Sequence, residues 1–123
     1  MRIGVYICHC GGNISDIVDV KKVADSVKDN EGVVFVRDNE HMCSEEGQKY
    51  IIDDIKEQNL DHIVVASCSP LFHEKTFMKA VEKAGLNAYT FEMANIREQC
   101  SWCHFSKGAA TSKAIDLVNM ALA

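Results

Sequence analysis

Four short apolar runs alternate along this chain with segments in which apolar residues recur at helical spacing. The runs cover residues 2–7, 33–36, 62–66 and 88–91. Between the first two, Val20, Val23, Ala24 and Val27 form a stripe of the kind that one face of a helix presents. Strands that are joined by helices pair in parallel. The pattern therefore predicts an α/β fold: a small, doubly wound (Rossmann-like), mainly parallel sheet of about four strands with flanking helices.

Capping residues predict where the helices begin. Ser15 or Asp16 can cap a first helix over about residues 17–29, and Ser44 can cap a second. Pro70, the only proline, suits the first position of a third helix. The last expected elements are a strand near residues 88–92 and a helix near residues 107–122.

Length and composition restrict the class of protein. A chain of 123 residues is long enough for one core and too short for two, so we expect residues 1–123 to form a single domain. The net charge of -5 argues against a nucleic-acid partner. No apolar run approaches the length of a membrane span, and the amino terminus enters a strand at once, without a secretory signal. We therefore expect a cytoplasmic protein.

Cysteines follow all four apolar runs. Cys10, Cys43, Cys68 and Cys100 each lie just past a run or in the loop after it. The carboxyl ends of parallel strands share one edge of a sheet, which is where ligands bind in open α/β folds. These thiols should therefore converge, and convergent thiolates indicate a metal site.

Three alternatives to a metal site remain open for the cysteines. A disulfide framework is typical of small secreted domains and is disfavoured here. Buried inert cysteines could account for one or two of the six, but not for their placement after strands. The third alternative is a stand-alone thiol redox domain with Cys8 or Cys68 as an activated nucleophile. A histidine next to a cysteine in sequence, such as His9, is not by itself evidence of a catalytic pair.

Spacing distinguishes between metals. Zinc sites of four cysteines usually consist of two C-x2-C turns, and here only Cys100 and Cys103 have that spacing. An iron–sulfur cluster is larger than one ion and can be held by cysteines from several strand ends. The spacing thus favours an iron–sulfur cluster, and a zinc-binding domain is the alternative.

The first strand end offers two thiols, Cys8 and Cys10, for one ligand position. Gly11 and Gly12 follow, and their backbone amides can approach a bulky anion closely. We predict that these glycines contact the cofactor and that Cys10, beside them, is the ligand. The predicted metal ligands are therefore Cys10, Cys43, Cys68 and Cys100, with Cys8 held in reserve.

Long strings of this sequence resemble the heterodisulfide reductase A subunits of methanogens and related anaerobes. They are residues 2–16, 41–44, 64–70 and 91–102. The resemblance spans nearly the whole chain. It implies that these residues form the amino-terminal domain of a larger flavoprotein and carry one [4Fe-4S] cluster. Cys103 stands where the family commonly has another residue, so it is the least expected ligand.

The resemblance also implies a role. The family's complex reduces the mixed disulfide of coenzymes M and B and couples this to ferredoxin reduction by flavin-based electron bifurcation. This chain has no flavin motif, so FAD is expected in a downstream domain, and no catalytic residues are assigned here. The implied partners are the flavin and ferredoxin-like domains of the same polypeptide, the other heterodisulfide reductase subunits, and an electron-donating hydrogenase or dehydrogenase.

Overall fold

The computed structural model describes residues 2–12, 14–67, 70–87, 90–97, 100–101 and 107–122, with residues 70–73 described by their backbone. Strands and helices alternate through it, as the apolar pattern predicts. In chain order the elements are β1 (Ile3–Cys8), α1 (Val20–Val27), β2 (Val33–Asn39), α2 (Glu45–Gln58), β3 (His62–Ser67), α3 (Pro70–Lys83), β4 (Phe91–Asn95) and α4 (Lys107–Leu122). A one-turn 3-10 helix, Cys10–Gly12, follows β1.

The strands form one parallel sheet. Within the described residues their order is β2-β1-β3-β4, and every neighbouring pair is parallel. The predicted α/β fold class is thus confirmed. The continuously apolar strand β3 lies in the interior of the sheet, with residues 63–67 buried, because it is covered on both faces.

Each face of the sheet carries its own hydrophobic core. Helices α1 and α4 cover one face, which we call the α1/α4 face; their buried residues there are Val20, Val23, Val27, Ala110, Ala114 and Val118. Helices α2 and α3 cover the other, the α2/α3 face, with Ile51, Ile55, Phe77 and Val81. Side chains alternate between the faces along each strand. Successive residues of a strand therefore belong in turn to the core of the α1/α4 face and to the core of the α2/α3 face.

The first helix begins later than predicted. Its N-cap is Asp19, whose Oδ1 accepts a hydrogen bond from the Lys22 amide at 3.1 Å, and neither Ser15 nor Asp16 has that role. Ile14 and Val18 are fully buried on the α1/α4 face, and the Val18 amide donates to the Ile14 carbonyl at 2.7 Å. Residues 14–18 thus form a turn that is anchored by these two buried side chains, which delays the helix.

The fourth strand is also displaced, since β4 covers Phe91–Asn95 and not residues 88–92. Phe91 pairs with Ile63, and Ser67 with Asn95, so the strand extends to the carboxyl end of β3. Residues 88 and 89 lie outside the described residues. The predictions for the other helices hold: Ser44 caps α2 by accepting from the Gly47 amide at 3.2 Å, Pro70 opens α3, and α4 covers the predicted range.

None of the helices that the structure describes is both long and apolar enough to cross a membrane. The longest, α4, has 16 residues.

A candidate metal centre at the carboxyl edge of the sheet

Cys8 is the last residue of β1 and points to the α2/α3 face, where it packs in a core with Tyr6 and Met42. It is 4% exposed. Its Sγ accepts hydrogen bonds from two backbone amides, those of Cys10 at 3.3 Å and Met42 at 3.4 Å, and donates to the Glu40 carbonyl at 3.5 Å. The loop after β2 is thereby tied to the end of β1 through one sulfur atom.

Burial raises the pKa of the Cys8 thiol to about 11. The two amides oppose this shift, and the charges of the Cys10 and Cys43 thiolates add to it. Burial also raises the pKa of Cys43, as does the Cys10 thiolate. The amides of Cys10 and of Met42, the residue before Cys43, both lie within 3.4 Å of the Cys8 sulfur, so the chain segments that carry Cys10 and Cys43 meet at the end of β1.

Cys10 begins the tight turn that carries the two glycines. All three of its residues have positive φ angles, 53° at Cys10, 59° at Gly11 and 108° at Gly12. For a residue with a side chain this region is unfavourable, so Cys10 is held there by its surroundings. The Gly11 amide donates to the Glu40 carbonyl at 3.2 Å, and the Gly12 amide to the His9 carbonyl at 3.2 Å. Both amides thus have backbone partners, and their contact with a cofactor stays a prediction.

An arginine that was not predicted from the sequence lies against this turn. Nη1 of Arg97, two residues past β4, donates to Cys10 Sγ at 3.1 Å, and its positive charge lowers the pKa of Cys43 against the effect of burial. One signal could have found it: Arg97 is the only lysine or arginine between Lys83 and Lys107, in the stretch that follows the last strand.

Cys100 has a different environment. It is 0% exposed on the α1/α4 face, and its Sγ donates to the Ala110 carbonyl of α4 at 3.0 Å. Cys10 is the thiol that links the two regions, since it packs against the cores of both faces. Cys68 and Cys103 lie outside the described residues. Within the part of the chain that is described, no three histidine, cysteine or acidic side chains are arranged to hold a metal ion.

A buried hydroxyl group completes the edge. Ile7 pairs with Ala66, so the next residues of the two strands, Cys8 and Ser67, lie side by side. Because side chains alternate between the faces along a strand, Ser67 lies on the α2/α3 face, as Cys8 does. Ser67 is 2% exposed, and its Oγ has no hydrogen-bond partner among the described residues. Buried hydroxyls are normally paired, so this one indicates a missing partner at the strand end.

The histidine between Cys8 and Cys10 is already paired. His9 Nε2 lies 2.6 Å from Asp38 Oδ2, at the ends of β1 and β2. This contact places the ring on a carboxylate at the surface and gives no support to a pairing of His9 with the Cys8 thiol.

The donor set of this edge suits an iron–sulfur cluster. Cys8, Cys10 and Cys43 are thiols that could serve as ligands, and Arg97 and Ser67 offer a cation and a spare hydrogen-bond donor for the negative charge that a thiolate-held cluster would carry. The structure therefore brings the chain segments of two of the four predicted ligands, Cys10 and Cys43, to the reserve, Cys8.

Comparison with known proteins identifies relatives. The chain is 57% identical over 123 residues to the second iron–sulfur A subunit of CoB–CoM heterodisulfide reductase in Methanopyrus kandleri, covering 99% of this chain and 19% of that protein. It is 54% identical over 124 residues to the A subunit of the ferredoxin/F420H2-dependent CoB–CoM heterodisulfide reductase of Methanosarcina acetivorans, covering 100% of this chain and 16% of the relative. The chain is homologous to one domain of the heterodisulfide reductase A subunits.

A third relative supports the same conclusion. The A subunit of the H2:CoB–CoM heterodisulfide, ferredoxin reductase of Methanothermobacter thermautotrophicus is 52% identical over 123 residues, which cover 99% of this chain and 19% of the relative. The chain thus spans less than a fifth of the length of these heterodisulfide reductase subunits. No family model matches the chain. The resemblance predicted from the sequence is confirmed.

Proposed function

We propose that this domain holds one [4Fe-4S] cluster at the carboxyl edge of its sheet and relays single electrons within a heterodisulfide reductase-type complex. The observation that carries the proposal is that the Cys8 sulfur accepts from the amides of Cys10 and of Met42, next to Cys43, while the guanidinium of Arg97 contacts the Cys10 sulfur. An iron–sulfur cluster needs thiolates from several directions and a partner for its charge. The cysteine thiols would meet the first requirement and the Arg97 guanidinium the second.

The ligands in this proposal are Cys10, Cys43, Cys68 and Cys100. Cys100 would exchange its hydrogen bond with the Ala110 carbonyl for a bond to iron, and Cys8 would keep the two amides that its sulfur accepts. The group supplies one-electron chemistry when it is bound. The chain's own residues bind it, screen its charge and exclude water with the buried side chains around Cys8.

The relatives' names extend the proposal to the whole polypeptide. We infer that the domain is the amino-terminal part of a larger A subunit whose downstream domain binds FAD, and that its electrons pass to flavin and ferredoxin-like domains. In that setting the complex reduces the coenzyme M–coenzyme B heterodisulfide and couples this to ferredoxin reduction by bifurcation. Partners of the same kind are the other reductase subunits and a hydrogenase or dehydrogenase, in the cytoplasm.

The test is anaerobic purification of the chain, followed by iron and sulfide analysis and EPR spectroscopy. We expect brown protein with about four irons per chain and an EPR signal after reduction by dithionite. Colourless protein with one tightly bound zinc would contradict the proposal and support the zinc-binding alternative.

One observation favours a second candidate, a stand-alone thiol redox domain. A guanidinium next to a sulfur, as at Arg97 and Cys10, also suits a reactive thiolate. In that case the iron-free chain should react with iodoacetamide at Cys10 many times faster than at Cys43, and alkylation of Cys10 should abolish its redox activity.

A further inference from the structure

Arg97 is fixed by the segment on either side of it. Its amide donates to Asn95 Oδ1 at 3.2 Å, and its carbonyl oxygen accepts hydrogen bonds from the Cys100 amide at 3.4 Å and the Ser101 hydroxyl at 3.2 Å. These three hydrogen bonds hold the backbone at Arg97, and its side chain is half-buried, so it is more restricted than a surface arginine.

The contact between Arg97 and Cys10 joins two strands that are not neighbours in the sheet. Arg97 follows β4 and Cys10 follows β1, and β3 lies between those two strands. Strands in a sheet are nearly 5 Å apart, so the Arg97 side chain must cross the width of β3 to reach Cys10, and β3 ends at Ser67, whose hydroxyl has no partner among the described residues. A positive charge and a hydrogen-bond donor thus lie at the end of β3.

Electron uptake at this edge adds one negative charge. A guanidinium is charged at every accessible pH and is an effective donor to an anion, and hydrogen bonds and charges near cluster sulfurs are established determinants of reduction potential. A guanidinium attracts the reduced cluster more strongly than the oxidised cluster, because the reduced cluster carries one more negative charge. A cation that contacts a ligand sulfur therefore raises the reduction potential.

Resting on the function proposed above, we propose that Arg97 is a positioning residue that raises the reduction potential of the cluster through Cys10, with the Ser67 hydroxyl as a second, neutral donor to the same group. Neither residue is a ligand. This role accounts for the burial of Ser67, because a buried hydroxyl without a partner would otherwise destabilise the fold.

The experiment is a potentiometric EPR titration of the anaerobically reconstituted chain and four variants, with iron counted in each. Arg97→Gln should keep its iron and titrate at a more negative midpoint potential than the wild type. Arg97→Lys keeps the charge and loses the guanidinium hydrogen bonds, so its midpoint should fall between the two. Ser67→Ala should give a smaller shift in the same direction.

Lys56→Gln is the matched control. Lys56 is an exposed residue in the last turn of α2, at the opposite edge of the sheet, so this variant loses the same charge far from the thiols. Its midpoint should equal that of the wild type. A shift as large as that of Arg97→Gln would mean that net charge alone sets the potential, which would overturn the inference.

The outcomes separate this inference from the proposed function. Wild-type protein without iron would refute the proposed function and the inference together. Wild-type protein with iron, and Arg97→Gln with the same iron and an unshifted midpoint, would refute the inference alone. If Arg97→Gln binds no iron, Arg97→Lys decides: an unshifted midpoint in that variant overturns the inference, and a more negative one supports it.

Discussion

The hydroxyl of Tyr6 donates a 3.0 Å hydrogen bond to Oδ2 of Asp54, inside the core of the α2/α3 face. Arg37 completes the arrangement, with Nε 3.0 Å from Oδ2 and Nη2 3.3 Å from Oδ1. The Asp54 side chain is 5% exposed, so β1, β2 and α2 are joined by a carboxylate that water hardly reaches. The Arg37 guanidinium also lies 4.4 Å from the centre of the Tyr50 ring.

Removal of Arg37 should therefore be costly. Arg37→Met leaves the Asp54 carboxylate buried with only the Tyr6 hydroxyl, and we expect a loss of about 3 kcal/mol in the free energy of unfolding. Tyr6→Phe removes one hydrogen bond and keeps the ion pair, so it should lose about 1 kcal/mol. Urea denaturation of the iron-free chain measures both. Equal losses in the two variants would show that the ion pair adds nothing beyond one hydrogen bond.

Gly47 in the first turn of α2 should not tolerate a side chain. A Cβ there would overlap the Met42 carbonyl group and lie 2.6 Å from its carbon. We expect Gly47→Ala to lose about 2 kcal/mol of stability, because backbone atoms must move. The displaced loop carries Cys43, so the variant should also bind less iron.

Gly108→Ala is the control for that variant. Gly108 is an exposed residue in the first turn of α4, where alanine favours the helix by up to about 1 kcal/mol. This variant should match or exceed the stability of the wild type. If both alanine variants were as stable as the wild type, the close approach of α2 to Met42 would be refuted.

The stability of the iron-free chain should decrease at alkaline pH. The pKa of Cys8 is raised by burial to about 11 from an ordinary value of 9.0, so the folded state favours the neutral thiol. The contribution is complete below about pH 9, where the thiol is protonated in both states, and is lost as the pH rises to about 11. Each pKa unit corresponds to about 1.4 kcal/mol, so the loss should approach about 3 kcal/mol.

Chemical denaturation of the reduced chain at several pH values from about 8 to about 11 checks this. Cys8→Ser cannot ionise in that range and should show a flatter dependence. Burial also raises the pKa of Tyr6, so ionisation of Tyr6 lowers the stability as well from about pH 10 upward. The chains with Cys8 and with Cys8→Ser should therefore be compared in the Tyr6→Phe background. The same slope with and without the Cys8 thiol would contradict the prediction.

Cysteine-to-serine variants assign the ligands. We expect iron to be lost in the variants of Cys10, Cys43, Cys68 and Cys100 and retained in Cys103→Ser. Cys8→Ser is the informative member, since its buried sulfur already accepts two amide hydrogen bonds and is predicted to stay with them. Retention of iron in Cys10→Ser together with its loss in Cys8→Ser would reverse the assignment at the end of β1.

Local residue patterns were enough to predict the order of elements, the parallel α/β class, the cap of α2 and the start of α3, because apolar periodicity and capping act over a few neighbouring residues. The start of α1 was not predictable in this way. It depends on the burial of Ile14 and Val18 against strands and helices that are distant in sequence. The bounds of β4 were missed for a related reason, since they follow its register with β3.

The candidate site divides in the same way. The positions of the cysteines after the apolar runs predicted that thiols would gather at one edge of a parallel sheet. The three-dimensional structure was needed to show that Cys10 and the loop before Cys43 contact the Cys8 sulfur, that Cys100 lies against α4, and that Arg97 reaches Cys10 from 87 residues away. The physical reason is the strand order, β2-β1-β3-β4, which is fixed by the packing of both cores and has no counterpart in the spacing of residues along the chain.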